Sequence, residues 1–261
     1  MSKMKEIKQL QEILMNSWPA DHYYFLNGWI IRFNDGVTAR ANSVFPLNYT
    51  GDSNTIDEDI NFVEKAYQAH NLPTIFTIPE FFEPHNLDIK LIELGYQQLG
   101  CITYTMIISV QDLKSEPINE EFSYDFYNQR VEEFSNFLAN YSKRDNEAQK
   151  VLNALANRII IPRKCFLIAK YESKIVGALT GILDPHGFLY IADMLVDPDF
   201  RRQKIATSMF LKIIKEWGIP NGVEKIWLQV ESENKEAVNL YAKLGLRRAY
   251  SYYYLAKSLE I

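Results

Sequence analysis

The sequence predicts an α/β (α+β) fold, a mixed, largely antiparallel central sheet flanked by helices and laid down twice along the chain. Three observations carry that expectation. Runs rich in apolar and β-branched residues at 164–171, 174–183 and 188–196 are separated by short turn sequences, as in an antiparallel meander. An apolar stripe at helical spacing follows them. The first half of the chain repeats the same cadence, which suggests a duplicated unit.

At 261 residues the chain exceeds one domain of roughly 100–200 residues, so two compact units are expected. The opening MSKMKEIKQLQEILMNSW interrupts its apolar positions with charges and reads as an amphipathic helix rather than a secretory signal. Tyr23–Phe33 and Val37–Val44 read as the arms of a hairpin, followed by a helix from about Ile56, a strand over 74–78 and a helix over 87–94. The polar stretch Val110–Glu121 contains Pro117 and reads as a linker, giving an N-terminal domain of residues 1–116 and a C-terminal domain of 117–261.

In the second half, Glu172-Ser173 suits a tight hairpin and Asp184-Pro185-His186-Gly187 a second turn. Ile205, Met209, Phe210, Ile213, Ile214 and Trp217 form the helical stripe, stopped by Gly218 and Pro220. A strand over 225–230 follows, then a helix capped by Asn234 whose inward stripe includes Ala237, Leu240, Tyr241 and Leu244, then a tyrosine-rich final strand. Two landmarks recur: Val44-Phe45-Pro46 precedes Leu94-Gly95-Tyr96 as Val196-Asp197-Pro198 precedes Leu244-Gly245-Leu246, with Val-to-Gly separations of 51 and 49 residues.

Composition narrows the function classes. A formal charge of −5 argues against nucleic acid or an anionic membrane, which select basic faces, and suits a cationic small substrate. No run approaches the ~20 apolar residues that span a bilayer. Cys101 and Cys165 make neither a metal-ligand spacing nor a disulfide framework, so the cytoplasm is the expected compartment and no metal is expected. The four histidines, scattered without metal spacing, read as surface or structural residues. No serine elbow, P-loop or dinucleotide motif is present.

The chemistry concentrates in VDPDFRRQKIA, residues 196–206, where a strand gives way to a helix that opens on Arg201, Arg202, Gln203 and Lys204. Cations at a helix N-terminus oppose the helix dipole unless an anion binds, and free backbone N–H groups there favour one. A solvated charged face is the plain alternative. This segment resembles the cofactor loop of the GNAT superfamily of acyl-CoA-dependent N-acyltransferases, Arg/Gln-x-x-Gly-x-Gly/Ala after a Val-x-Pro turn, with Arg201 and Ala206 in register. Asn234–Leu246, NKEAVNLYAKLGL, resembles the second signature of that family. Lys204 departs from it, standing where glycine is usual.

The resemblance implies a GNAT-like fold and an acetyl-CoA donor seated on Leu195, Val196, Arg201, Arg202, Gln203, Lys204, Ile205, Ala206, Thr207 and Asn234. It implies a thioester carbonyl held by backbone N–H near Leu195 or Val196, and Tyr241 as the acid that protonates the leaving thiolate. By spacing alone Tyr241 is a core aromatic. Asp193 is the carboxylate candidate for removing the amine proton, against a plain reading as a satisfied strand residue.

The first half lacks a basic loop: Asn48–Thr55, NYTGDSNT, follows Val44-Phe45-Pro46. It reads as a degenerate copy, and GWIIRFNDGVTARANSV, residues 28–44, resembles the first half of tandem GNAT proteins, with Arg32, Arg40 and Asn42 as either substrate contacts or a polar strand face. The expectation is an N-acetyltransferase acting on a small amine. The alternatives are a non-catalytic acyl-CoA sensor or scaffold and an aminoacyl transferase using charged tRNA, which the acidic balance disfavours.

Overall fold

A computed structural model describes residues 2–52, 54–141 and 145–259, so Ser53 of the NYTGDSNT stretch lies outside the described residues. In chain order the elements are α1 (Lys3–Ser17), β1 (His22–Leu26), β2 (Trp29–Phe33), α2 (Ile56–Ala69), β3 (Thr74–Pro79), α3 (Leu87–Glu93), β4 (Gln97–Ser109), β5 (Ser123–Tyr127), α4 (Glu132–Tyr141) and α5 (Asn146–Asn157). Then come β6 (Lys164–Tyr171), β7 (Lys174–Leu183), β8 (Phe188–Val196), α6 (Ile205–Lys212), β9 (Lys225–Glu231), α7 (Lys235–Lys243) and β10 (Arg247–Lys257). This is the expected mixed, mostly antiparallel sheet with flanking helices.

The chain separates into two compact units. One comprises Met1–Tyr104, Glu231–Glu233 and Ala249–Ile261, the other Thr105–Val230 and Asn234–Arg248. The sequence-based boundary at 117 falls inside the second unit, because the 110–121 stretch is fastened there: Val110 N–H donates to the Glu224 carbonyl at 2.8 Å and Lys114 N–H to the Leu244 carbonyl at 3.0 Å.

In the first unit, β1 and β2 form a two-residue hairpin with Leu26 opposite Trp29. Its turn is Asn27-Gly28, both at positive φ (46° and 85°), the pairing that a type I′ turn requires. The expected hairpin between 23–33 and 37–44 is therefore displaced. Val37–Val44 instead forms a 3₁₀ turn at Ala39–Ala41, stapled by Asn42, whose side chain accepts from Asn34 N–H at 2.6 Å and Gly36 N–H at 3.1 Å and donates to the Asn34 and Thr38 carbonyls. Arg32 donates to the carbonyls of Arg40 and Trp18, so it too acts as a tether. Trp29, Val44, Val63, Tyr67, Phe76 and Leu91 anchor the core of this unit. β10 pairs antiparallel with β3, from Tyr252 opposite Pro79 to Lys257 opposite Thr74.

In the second unit β5, β6, β7 and β8 form an antiparallel meander, and β9 joins β8 in parallel, with Phe188 opposite Lys225 and Ile191 opposite Leu228. α6 lies close on β7: a Cβ at Gly177 would come within 2.9 Å of the Met209 methyl, and one at Gly181 within 2.6 Å of Ile213 Cδ1. α4 packs Phe134, Phe137 and Leu138 on Phe166, Ile168 and Ala178.

The two landmarks seen in the sequence end their helices alike. After α3, Gly95 (φ 88°) turns the chain and Tyr96 N–H returns to the Leu91 carbonyl; after α7, Gly245 (φ 99°) does so and Leu246 N–H returns to the Tyr241 carbonyl, each at 3.0 Å.

Candidate active site

The parallel ladder between β8 and β9 stops at the Ile191–Leu228 pair, although β8 runs on to Val196 and β9 to Glu231. A bulge in β8 marks the break. Thr180 of β7 faces Ala192, yet Ala178, two residues away, faces Leu195, so β8 carries one residue too many and Asp193 takes φ 52°. Asp197 N–H donates to the Val176 carbonyl at 2.8 Å, toward β7. Alternation along a strand turns Val196 N–H the opposite way, to the edge that β9 has left. A donor is thus aimed into the gap beside Leu195 and Val196.

Beyond Val196 the loop is braced from below. Asp197, 1% exposed, accepts from Lys174 Nζ at 2.9 Å, from Tyr141 Oη at 2.9 Å and from Asp199 N–H at 3.0 Å. Burial works against its charge, but these donors prevail and hold the carboxyl below its ordinary range. Asn119, inside the stretch read as linker, adds a second brace: its N–H donates to Ser208 Oγ at 2.9 Å and its amide to the Gln203 carbonyl at 3.2 Å.

Arg201 to Lys204 are all exposed. Arg202 (φ 66°) and Lys204 (φ 62°, ψ 13°) both adopt the left-handed conformation, Lys204 as the residue that precedes α6. The usual glycine at the position of Lys204 is thereby explained by its backbone: the turn demands positive φ, which costs an L-residue about 1–2 kcal/mol. The first backbone bond into α6 is Ser208 N–H to the Lys204 carbonyl, and no side chain caps the helix. Among the described residues the N–H groups of Ile205, Ala206 and Thr207 have no acceptor, and Arg201 and Lys204 have no carboxylate partner. Arg202 reaches Glu236 at 3.6 Å, but both side chains are about four-fifths exposed, so the pair is weak. Free amides, two left-handed residues and three cations are a combination suited to an anion.

Tyr241 lies on the inner side of α7, 6% exposed, with its ring 5.7 Å from that of Phe210. Burial holds its hydroxyl proton well above the ordinary tyrosine range, and the hydroxyl has no hydrogen-bond partner among the described residues. Asn234 caps α7 by accepting from Ala237 N–H at 3.2 Å, which gives it a structural duty.

Asp193 meets partners that sequence reading missed. Thr180 Oγ1 donates to its Oδ2 at 2.8 Å, and Arg130 Nη1 stands 3.8 Å away, both side chains largely buried (Arg130 7%, Asp193 15% exposed). Burial lowers the Arg130 pKa and the Asp193 charge opposes that fall. No local pattern announces Arg130, which sits before α4 and meets Asp193 only through the fold. Among the described residues no helix is long and apolar enough to cross a membrane, and no cluster of three or more His, Cys, Asp or Glu is placed to hold a metal.

Comparisons with known proteins agree with this geometry. Residues 123–246 match the model of the acetyltransferase (GNAT) family, and residues 4–98 match a model described as probable histone acetyltransferase Rv0428c C-terminal. The chain is 27% identical to an uncharacterized N-acetyltransferase of Bacillus subtilis, YobR, over 97% of this chain and 100% of that relative. It is 34% identical over 99 residues to human N-alpha-acetyltransferase 30, a stretch covering 35% of this chain and 27% of that protein. A GCN5-related N-acetyltransferase from Kribbella flavida shares the fold with a TM-score of 0.68 at 11% identity, over 97% of this chain and 95% of the other. A tandem GNAT protein from the clavulanic acid biosynthesis pathway does so with a TM-score of 0.60 at 10% identity, over 79% and 71%. With the basic loop at its centre, the stretch 123–246 belongs to the GNAT superfamily of acyl-CoA-dependent N-acyltransferases, and the segment ahead of it matches a separate family model and has no such loop.

Proposed function

We propose that the second unit transfers an acetyl group from acetyl-CoA directly to the amine of a small acceptor. The observation that carries this reading is the juxtaposition of a bulged, split strand pair with an uncapped, cation-rich helix start. The amides of Ile205, Ala206 and Thr207, with Arg201, Arg202, Gln203 and Lys204 around them, suit a diphosphate. Val196 N–H, turned toward the gap, suits the thioester carbonyl and the oxyanion that forms as the amine nitrogen attacks.

When the tetrahedral intermediate collapses, the C–S bond breaks, the thiolate takes a proton from an acid, and the newly acylated nitrogen gives up its extra proton, which restores that acid. Tyr241 keeps its proton at neutral pH and has no internal hydrogen bond to surrender, which fits it to be that donor. The amine must also lose a proton before attack. Asp193 remains the carboxylate nearest the bulge, but its Oδ2 already accepts from Thr180 and faces Arg130. It would take the proton through its less occupied oxygen or hold a water that does.

Turnover of acetyl-CoA over a panel of primary amines tests the reading. Acetylation of at least one amine, slowed by Tyr241→Phe with little change in KM, is expected. Binding of acetyl-CoA with no acetylation of any amine would favour the alternative, a sensor or scaffold of acyl-CoA.

A further inference from the structure

Residues paired across a sheet share a face, and successive residues of a strand alternate between faces. Gly177 and Gly181 turn toward α6, so Thr180 and Ile182 turn away from it. Ile182 pairs with Tyr190 and Tyr190 with Trp227, their rings 4.5 Å apart. Gln229, two residues beyond Trp227, lies on this same face. β4 neighbours β9, and Val110 N–H to the Glu224 carbonyl and Ser232 N–H to the Ile102 carbonyl fit one antiparallel register. That register brings Thr105 opposite Gln229.

Four buried polar atoms of this face have no hydrogen-bond partner among the described residues: Trp227 Nε1, Thr105 Oγ1, and both Nε2 and Oε1 of Gln229. Interiors pair nearly all such atoms with protein, ordered water or ligand, so three neighbouring residues without a protein partner offer hydrogen bonds that a ligand can make. Trp227 and Thr105 are fully buried, whereas Gln229 is partly exposed although its amide atoms are covered at rest, so the amide reaches a ligand only by turning. Gln229 also stands one residue past Leu228, the last residue of β9 paired with β8, at the mouth of the gap. No hydrogen bond holds its amide at rest, so turning toward a ligand sacrifices none.

A carboxamide presents a donor and an acceptor side by side, and the group that answers both is another amide. Asp193, the carboxylate near the gap, is already engaged by Thr180 and Arg130. We infer that Gln229 determines specificity by pairing with the amide group of a peptide-like acceptor, an amine flanked by a peptide bond. This deepens the proposed acetyl transfer and rests on it for the acceptor's role.

The test compares the full chain with its Gln229→Met variant by calorimetry on the coenzyme A-loaded protein, with alanyl-alanine amide and butylamine as probes, and by thermal unfolding without ligand. The variant should bind the dipeptide amide about tenfold more weakly. Its affinities for butylamine and coenzyme A should be unchanged, and its unliganded melting temperature unchanged or raised, since an unsatisfied amide is removed. Failure of the full chain to bind the dipeptide amide, or equal affinity in the variant, overturns the inference. A lower melting temperature would make Gln229 structural, and weakened coenzyme A would assign its amide to the pantetheine arm; either result overturns it as well. Because no turnover is needed, dipeptide binding without acetylation would sink the catalytic reading and leave this one standing.

Discussion

Replacing Lys204 separates what the loop's backbone contributes from what its charge contributes. Lys204 holds φ 62° and ψ 13° with an exposed side chain that caps nothing. Left-handed backbone costs an L-residue about 1–2 kcal/mol, and glycine recovers it while losing about 0.4–1 kcal/mol through a freer unfolded chain. Lys204→Gly should therefore stabilise by about 0.5–1 kcal/mol, a rise of roughly 1–4 °C in melting temperature. Lys204→Val, β-branched and stiff, should instead destabilise by about 1–3 kcal/mol. Acetyl-CoA affinity, followed by calorimetry, should fall no more than about fivefold in the glycine variant, since one exposed ion pair is worth at most about 1 kcal/mol. It should fall more than about tenfold in the valine variant, which pulls the amides at the start of α6 out of line. A glycine variant that melts lower than wild type, or a valine variant that binds as well as wild type, would refute the claim that the turn's conformation makes the anion site.

Other outcomes follow from the same geometry. Tyr241→Phe should lower kcat about 10²-fold while leaving the melting temperature nearly unchanged, because the hydroxyl has no internal partner to lose; stopped-flow turnover and thermal unfolding read the two effects. Asp197→Asn should cost about 1–3 kcal/mol at neutral pH by weakening the bonds to Lys174, Tyr141 and Asp199. The folded pKa of Asp197 lies below its unfolded value of about 3.9, so its contribution is present above that value and lost as pH falls through the folded one. The gap in melting temperature between wild type and Asp197→Asn should thus be full near pH 7 and shrink below about pH 4. Gly245→Ala should destabilise by more than about 1 kcal/mol, since φ is 99° and the new Cβ would lie 2.9 Å from Ile108 Cδ1; chemical denaturation measures it.

The second half was the more legible because its signals are local. Strands at 164–171, 174–183 and 188–196 are apolar runs bounded by turn residues, Asn234 caps α7, and the cation run sits where β8 gives way to α6. Asn27-Gly28 was equally local, and it outweighed the broader β pattern of residues 23–33. β4 was missed in part because Gly100, at φ 68°, interrupts its reading. The linker reading of 110–121 followed composition, whereas tertiary bonds from Val110, Lys114 and Asn119 fasten that stretch. Arg130, Thr180 and Gln229 gave no warning, since their meaning arises only when the sheet sets them on one face. Lys204 looked like a departure in chemistry; its backbone shows a departure in conformational cost.

The acyl-CoA assignment of the β8–α6 loop is tested most simply by a thermal-shift titration with acetyl-CoA of the wild-type chain and of an Arg201→Ala/Arg202→Ala variant. At 100 times its dissociation constant the ligand should add about 2.7 kcal/mol to the wild type, and much less to the variant at the same concentration. A wild-type protein that unfolds cooperatively and shows no shift with acetyl-CoA, or a variant that shifts as far as wild type, would contradict the assignment of the β8–α6 loop as the acyl-CoA site.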